Sequence, residues 1–154
     1  VRAYGESVLR ELMRTLGMDL GTKTLGLAVS DKLGIIANPY KTLRYTDIDE
    51  LVSEVVSLID ELKIESLVLG FPKYMNNSLG EAFSRTNIFK EKLEGKTDLK
   101  INLVDERLST VEAEKYLIGA DMSRKNRKEV IDAVAASIIL DTYLKRMGSG
   151  KNVR

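Results

Sequence analysis

Three acidic residues stand where a predicted sheet could bring their carboxylates together. Asp19 lies near the end of an apolar strand predicted over 15–20. Glu106 directly follows a strand predicted over 100–105, and Asp132 lies near the start of a predicted helix. A carboxylate in a buried strand costs several kcal/mol unless it is hydrogen-bonded, paired or holding a cation. These three residues are therefore the candidate catalytic and metal-binding set.

Three converging carboxylates repel one another, and a hard divalent cation removes that conflict. Mg²⁺ and Mn²⁺ prefer oxygen ligands, and two such ions about 4 Å apart can activate water and stabilise the leaving oxygen in phosphodiester hydrolysis. The chain has no histidine and no cysteine, which excludes Ser-His-Asp and Cys-His catalysis, imidazole and thiolate metal sites, and disulfides. The predicted cofactor is Mg²⁺ or Mn²⁺, as one or two ions.

Two of the three acids also have a simpler explanation. Asp19 could cap its own turn, and Asp132 could be a first-turn acid that complements the helix dipole. The glycines around Asp19 bear on this choice, because Gly17, Gly21 and Gly26 remove side chains where a ligand's backbone could come close. Taken singly, each simple explanation for an acid is adequate. Taken together, the three acids favour a site.

The hydropathy pattern predicts a mixed five-stranded sheet with helices on both faces, in the order β-β-β-α-β-α-β-α-α. The predicted strands cover 15–20, 24–30, 35–43, 66–70 and 100–105, and the predicted helices cover 47–63, 79–93, 109–119 and 126–146. Parallel crossovers join the later strands. If the first strand is central, the carboxyl ends of the parallel strands open into one crevice, where open α/β sheets bind ligands.

One α/β domain over 13–147 is predicted within the 154 residues. Residues 1–12, which precede Met13, are expected to be an N-terminal extension or a remnant of expression, and 148–154 a flexible Gly/Ser-rich tail. No apolar run reaches the roughly 20 residues of a membrane span, and the N-terminus lacks a signal-peptide core. We expect a cytoplasmic protein with no membrane partner.

The net charge of +1 says little about partners, but the distribution of charge says more. Four basic residues stand together before the last predicted helix: Arg124, Lys125, Arg127 and Lys128. Such a run is usually a solvated loop. Its position beside Asp132 makes it the best candidate for contacts to a nucleic-acid backbone.

Other nucleic-acid contacts are weaker candidates. Lys23 could reach a phosphate from the first turn, although a turn lysine is ordinarily a surface residue. Lys73 and Tyr74 follow the fourth predicted strand and could line a substrate path, with the tyrosine stacking on a base. Arg85 could hold a phosphate or pair with Glu81 one turn earlier.

Four segments resemble the YqgF/RuvX family over residues 13–147. They are GMDLGTKTLGLAVSD at 17–31, GFP at 70–72, DERLST at 105–110 and DAVAA at 132–136. The resemblance implies the ribonuclease H-like fold. Members of the family are called Holliday junction resolvases and are also assigned to maturation of the 5′ end of precursor small-subunit ribosomal RNA.

Carried over residue by residue, the resemblance implies that Asp19, Glu106 and Asp132 bind the metal. It implies supporting roles for Asp105 and Arg107. Two features depart from the family pattern: Thr24 stands where a basic residue is common, and Asn-Asn-Ser-Leu-Gly at 76–80 replaces a Gly/Asp-rich loop.

The resulting hypothesis is a metal-dependent endonuclease that processes the 5′ end of precursor 16S ribosomal RNA. The alternative is a Holliday junction resolvase acting on branched DNA. Candidates from other classes are a non-catalytic ribosome-assembly factor and an actin- or heat-shock-type ATP-binding module, which normally needs two such domains. The chain has no tryptophan and only 6% aromatic residues, so a monomer or weak homodimer is predicted.

Overall fold

The computed structural model describes residues 13–72, 79–105 and 124–152, with side chains for all of these except 79, 124–129 and 149–152. The elements within these ranges are β1 (Thr15–Leu20), β2 (Thr24–Ser30), β3 (Ala37–Arg44), α1 (Ile48–Glu61), β4 (Ser66–Phe71), α2 (Leu79–Glu94), β5 (Ile101–Asp105) and α3 (Arg124–Asn152). The predicted helix over 109–119 lies outside the described residues.

The five strands form one mixed sheet in the order β3-β2-β1-β4-β5. Strand β1 is central: it pairs antiparallel with β2 and parallel with β4, and β4 pairs parallel with β5. This confirms the predicted fold class, and it meets the condition under which the carboxyl ends of the parallel strands open into one crevice. The ends of β1, β4 and β5 therefore lie along one side of the sheet, which we call the carboxyl edge.

The two faces of the sheet carry different helices. On one face, Leu16 and Met18 of β1 join a buried core with the apolar side chains of α1 and α2. On the other face, Ala28, Val68 and Val104 pack against α3 in a second buried cluster. Because side chains alternate along a strand, every residue of the sheet is assigned to the α1/α2 face or to the α3 face.

Helix α1 begins as its sequence predicts. Asp47 is extended at the N-cap, and its carboxylate accepts a hydrogen bond of 3.1 Å from the backbone N–H of Asp49. The apolar side chains recur at helical spacing and form the buried face of the helix, which includes Leu51, Val52 and Val55. This cap satisfies a backbone donor that the first helical turn leaves unpaired.

Two elements, β3 and α3, differ from prediction in their bounds. Strand β3 begins at Ala37 rather than at position 35, because the carboxylate of Asp31 binds the N–H groups of Ile35 and Ile36 and holds them in a turn. Helix α3 spans Arg124–Asn152, beyond both predicted ends. Glycines near its end lower helix propensity but, unlike proline, keep their hydrogen-bond donors.

No helix in the described part of the chain is long and apolar enough to cross a membrane.

Candidate metal site

Asp19 is the fifth residue of β1, close to the carboxyl edge, and its side chain is half-buried. A side chain at position 17 would meet Leu140 and Ala136 of α3, so that position faces α3. Asp19 lies two residues further along the same strand and therefore faces α3 as well. Its direct cross-strand partner on β2 is Gly26.

Gly26 brings the backbone of α3 onto the sheet. A Cβ atom at position 26 would overlap the carbonyl group of Asp132. Only glycine lets the helix come this close. Asp19 and Asp132 therefore both lie next to Gly26. Asp19 is its partner on the adjacent strand, and Asp132 packs over it from α3.

Asp132 is held through its side chain as well. The hydroxyl of Thr24 donates a hydrogen bond of 2.7 Å to Oδ2 of Asp132. Thr24 is the first residue of β2 and lies on the same face as Gly26. The N-terminal end of the hairpin strand β2 is thus tied to α3 by one contact to the backbone and one to the carboxylate.

The dipole explanation of Asp132 is wrong. Because α3 begins at Arg124, Asp132 lies more than two turns into the helix, and the first turn contains no acidic residue. The field of a helix terminus falls off within that first turn.

The glycines around Asp19 also differ from expectation. Gly17 and Gly26 make room for α3 of the chain itself, not for a ligand, while a Cβ at Gly21 would make a tight contact of 3.3 Å with the Thr24 hydroxyl. Met18 of β1 pairs with Leu69 of the neighbouring strand β4. The next residue of β4 is Gly70, which is buried. Gly70 therefore places no side chain between β1 and β5 at this level of the α3 face.

Asp105 ends β5 and lies on the opposite face. It pairs with Phe71, whose ring packs edge-on against Phe83 of α2 at 5.1 Å. Val104, one residue earlier, faces α3. Of the two adjacent acids in the sequence, Asp105 is therefore on the α1/α2 face, away from Asp19. Glu106 and Arg107 lie outside the described residues.

The described ranges contain no group of three acidic side chains that could hold a metal ion. They contain two of the three predicted ligands, Asp19 and Asp132, placed against one glycine. Carboxylate oxygens on a strand and a packed helix are a donor set that suits a hard divalent cation. The residues present therefore fit Mg²⁺ or Mn²⁺. The third predicted ligand, Glu106, lies outside the described residues.

Lys23 is exposed in the turn between β1 and β2. It lines a surface pocket that also includes Arg44 and Tyr45 and, on its α1 side, Glu50 and Glu54. The pocket thus has basic residues towards the carboxyl edge and acidic residues towards α1. Lys23 is close to the candidate site along the chain and remains a candidate for phosphate contact.

Arg85 lies on α2, on the face of the sheet opposite Asp132. The Nε atom of its guanidinium is buried and has no hydrogen-bond partner within the described residues. Arg85 acts electrostatically on Tyr45. Burial raises the pKa of the Tyr45 phenol, and the positive charge of Arg85 partly opposes that rise. The Tyr45 hydroxyl donates a 2.6 Å hydrogen bond to the carbonyl of Gly21, which secures the turn after Asp19.

The basic run belongs to α3 and not to a loop before it, since the helix begins at Arg124. Positions 125 and 128 precede position 132 by seven and four residues, so helical spacing puts them on the same face of the helix. Lys73 and Tyr74 lie outside the described residues.

Two residues at this edge were not predicted to belong to the site. The sequence marks Thr24 only as a departure from the family pattern. Arg44, exposed at the end of β3, is the cross-strand partner of Thr24. The register of β3 on β2, which includes an irregularity between Leu27 and Ala28, is not readable from local sequence.

Comparison with known proteins identifies the family. Residues 13–146 match the family model described as "RuvX: Holliday junction resolvase". A protein of Geobacillus kaustophilus is 47% identical over 134 residues, covering 86% of this chain and 97% of that protein. A Bacillus subtilis protein is 46% identical with the same coverage. Both proteins are named "Putative pre-16S rRNA nuclease".

Solved structures share the fold at low sequence identity. Thermus thermophilus RuvC, in a complex with a Holliday junction substrate, has a TM-score of 0.57 and 15% identity, covering 88% of this chain and 96% of that one. The fowlpox virus resolvase, also in complex with junction DNA, has a TM-score of 0.54 and 10% identity, covering 88% and 99%. At these identities the likeness extends to the fold alone, which is the predicted ribonuclease H-like one.

Proposed function

The chain belongs to the RuvX family, and from this premise we propose that it is a metal-dependent endonuclease whose substrate is precursor 16S ribosomal RNA. One observation of the structure carries the proposal: Asp19 and Asp132, far apart in sequence, flank the same glycine at the carboxyl edge. That arrangement sets two carboxylates where an open α/β sheet binds its ligand.

The proposed ligands of Mg²⁺ or Mn²⁺ are Asp19, Asp132 and Glu106. Glu106 completes the set because Asp105, the adjacent acid, lies on the face away from Asp19. A divalent ion bound by these carboxylates would activate the attacking water and stabilise negative charge on the leaving oxygen of a phosphodiester. The family resemblance implies supporting roles for Asp105 and Arg107; because Asp105 faces α1 and α2, its proposed role is an indirect one.

The protein's own residues supply the positioning. The close approach at Gly26 fixes the backbone of Asp132, and Asp19 is fixed within the central strand of the sheet. Ligands on regular elements are held more accurately than ligands on loops. Because both carboxylates are already held in place, binding of a cation requires little further loss of conformational entropy.

Nucleic-acid contacts are proposed on both sides of this pair. Arg124, Lys125, Arg127 and Lys128 begin the helix that carries Asp132, where the helix N-terminus itself favours anions. Lys23 and Arg44 lie at the hairpin end of the carboxyl edge. Lys73, Tyr74 and Arg85 remain further candidates. Contacts of this kind to phosphates position the substrate and carry no sequence preference.

The two candidate substrates have different support. The names of the Geobacillus and Bacillus relatives favour precursor ribosomal RNA, whereas the description of the family model favours a Holliday junction. Resolution of a junction needs two matched cuts, most simply made by a two-fold dimer. Trimming a precursor needs only one site, and so fits the predicted monomer or weak dimer. We place the protein in the cytoplasm, where precursor ribosomal RNA is processed in bacteria.

The test is incubation of the purified chain with labelled precursor 16S ribosomal RNA and with a labelled four-way DNA junction. Each substrate is tested with Mg²⁺, with Mn²⁺ and with chelator. We expect metal-dependent cuts near the 5′ end of the RNA. Symmetric cuts in the junction without any action on RNA would select the resolvase. Binding of RNA with no cleavage under any condition would select the assembly factor.

A further inference from the structure

We propose that Thr24 is a positioning residue for Asp132, orienting this carboxylate for the metal through its side-chain hydroxyl. The proposal rests on the proposed metal site. It adds to that site a residue that touches neither metal nor substrate. It also assigns a role to the position at which this chain departs from the basic residue common in the family.

The hydrogen bond has the geometry of a strong contact. Its length of 2.7 Å between Oγ1 of Thr24 and Oδ2 of Asp132 lies within the range for a hydroxyl donating to an ionised carboxylate. A carboxylate has about four lone-pair sites on its two oxygens. One hydroxyl therefore occupies a single site and leaves the others for a cation.

The donor is itself held in place. Thr24 begins β2, where it is paired with Arg44 of β3, and its carbonyl accepts a 2.8 Å hydrogen bond from the N–H of Gly21. A β-branched side chain also has restricted rotation about χ1. The Thr24 hydroxyl is therefore presented by a fixed backbone and a stiff side chain, and it can orient the carboxylate without large loss of entropy.

The Thr24 hydrogen bond fixes a different part of Asp132 from the part that Gly26 fixes. Gly26 already fixes the backbone of Asp132 by close approach, but that contact leaves the side-chain torsions undetermined. The Thr24 hydrogen bond restricts those torsions. Partners that orient metal ligands in this way typically account for 10–100-fold in metal affinity or activity.

The test compares T24V, T24S and the wild type in binding of Mn²⁺, measured by titration of free Mn²⁺ with electron paramagnetic resonance. We expect the dissociation constant of T24V to rise by about 10-fold or more. T24S keeps the hydroxyl and should bind as the wild type does. T22V, at the exposed neighbouring threonine of the same turn, is the matched control and should also leave Mn²⁺ binding unchanged.

A purely structural role of the contact predicts a different result. In that case T24V would lower the melting temperature while Mn²⁺ affinity stayed at the wild-type value, and the proposal would be overturned. If T24V does not fold, T24A removes the same hydroxyl without adding bulk and replaces it. A wild-type protein that binds no Mn²⁺ overturns the metal site together with this proposal. Wild-type binding with an unchanged T24V overturns the role of Thr24 alone.

Discussion

Gly26 and the carbonyl group of Asp132 approach so closely that no other residue type fits at position 26. The contact joins the central hairpin to α3 and places Asp132 beside the cross-strand partner of Asp19. One missing side chain therefore serves both packing and the candidate site. Helix and sheet could separate to admit a Cβ atom, but the two carboxylates would then move apart.

Replacement of Gly26 by alanine should test this relationship. The added methyl group forces α3 away from the sheet, and overpacking of this kind costs about 1–3 kcal/mol. We expect G26A to lower the free energy of unfolding by at least that amount and to reduce cleavage strongly. G80A is the matched control, because a Cβ at Gly80 meets nothing within 4 Å. Because Gly80 is the second residue of α2 and not in its interior, this change should stabilise by less than about 0.5 kcal/mol. Equal stability of the two variants, measured by urea unfolding, would contradict the packing argument.

The fold was largely predictable because its signals are local. The alternation of β1 and β2, the Asp47 cap and the apolar stripe of α1 each depend on a few neighbouring residues. The sequence motifs also singled out Asp19 and Asp132 as candidates. Their assignment as metal ligands stays a prediction.

The contacts around those candidates could not be predicted in the same way. The Thr24–Asp132 hydrogen bond joins residues 108 positions apart, and the nearness of Arg44 depends on the register of β3. Glycines near an acid suggest space for a ligand, but Gly17 and Gly26 accommodate the chain's own helix. The need for a glycine is visible in sequence, but what it makes room for is not.

The second prediction concerns Asp19 as a metal ligand. D19N keeps the shape of the side chain but removes its charge, so we expect cleavage to fall by more than about 100-fold, beyond what loss of an outer-shell partner causes. In metal-free buffer the melting temperature should stay the same or rise, because repulsion between carboxylates is relieved. D60N, at an exposed position of α1, is the control and should cleave normally. Full activity of D19N would remove Asp19 from the site.

The third prediction concerns pH and the turn at Asp31. Burial alone would raise the pKa of Asp31, but the N–H groups of Ile36 and Ile35 donate to the carboxylate and hold its pKa below the usual value. The ionised form is thus favoured in the folded state. Its contribution is present above the unfolded-state pKa of about 3.9 and is lost as pH falls through the lowered folded pKa.

At pH 7 we expect D31A to be less stable than the wild type by roughly 0.5–1 kcal/mol, a low value because the hydrogen bonds are exposed. The difference should shrink as the pH falls below about 4. D31N keeps an acceptor oxygen that does not titrate, so its stability relative to D31A should not depend on pH. Urea unfolding between pH 7 and pH 3 measures all three proteins. A stability difference between wild type and D31A that grows on acidification would refute the assignment.

The last prediction separates two basic residues of the same strand. Arg44 pairs with Thr24 and lines the same surface pocket as Lys23 at the hairpin end of the sheet, whereas Lys41 pairs with Leu27. Both are exposed, and each carries one positive charge.

If a nucleic-acid strand passes the candidate site on the hairpin side, R44A should weaken binding and lower the slope of log affinity against log salt by about one. K41A should change neither quantity, although it removes the same charge, because Lys41 pairs with Leu27, away from the hairpin turn, and its ammonium lies over the Tyr40 ring at 5.4 Å. Fluorescence anisotropy over a range of salt concentrations, with cleavage blocked by chelator, measures both variants. Equal losses would show that net charge and not position governs binding, and the substrate path past Arg44 would be wrong.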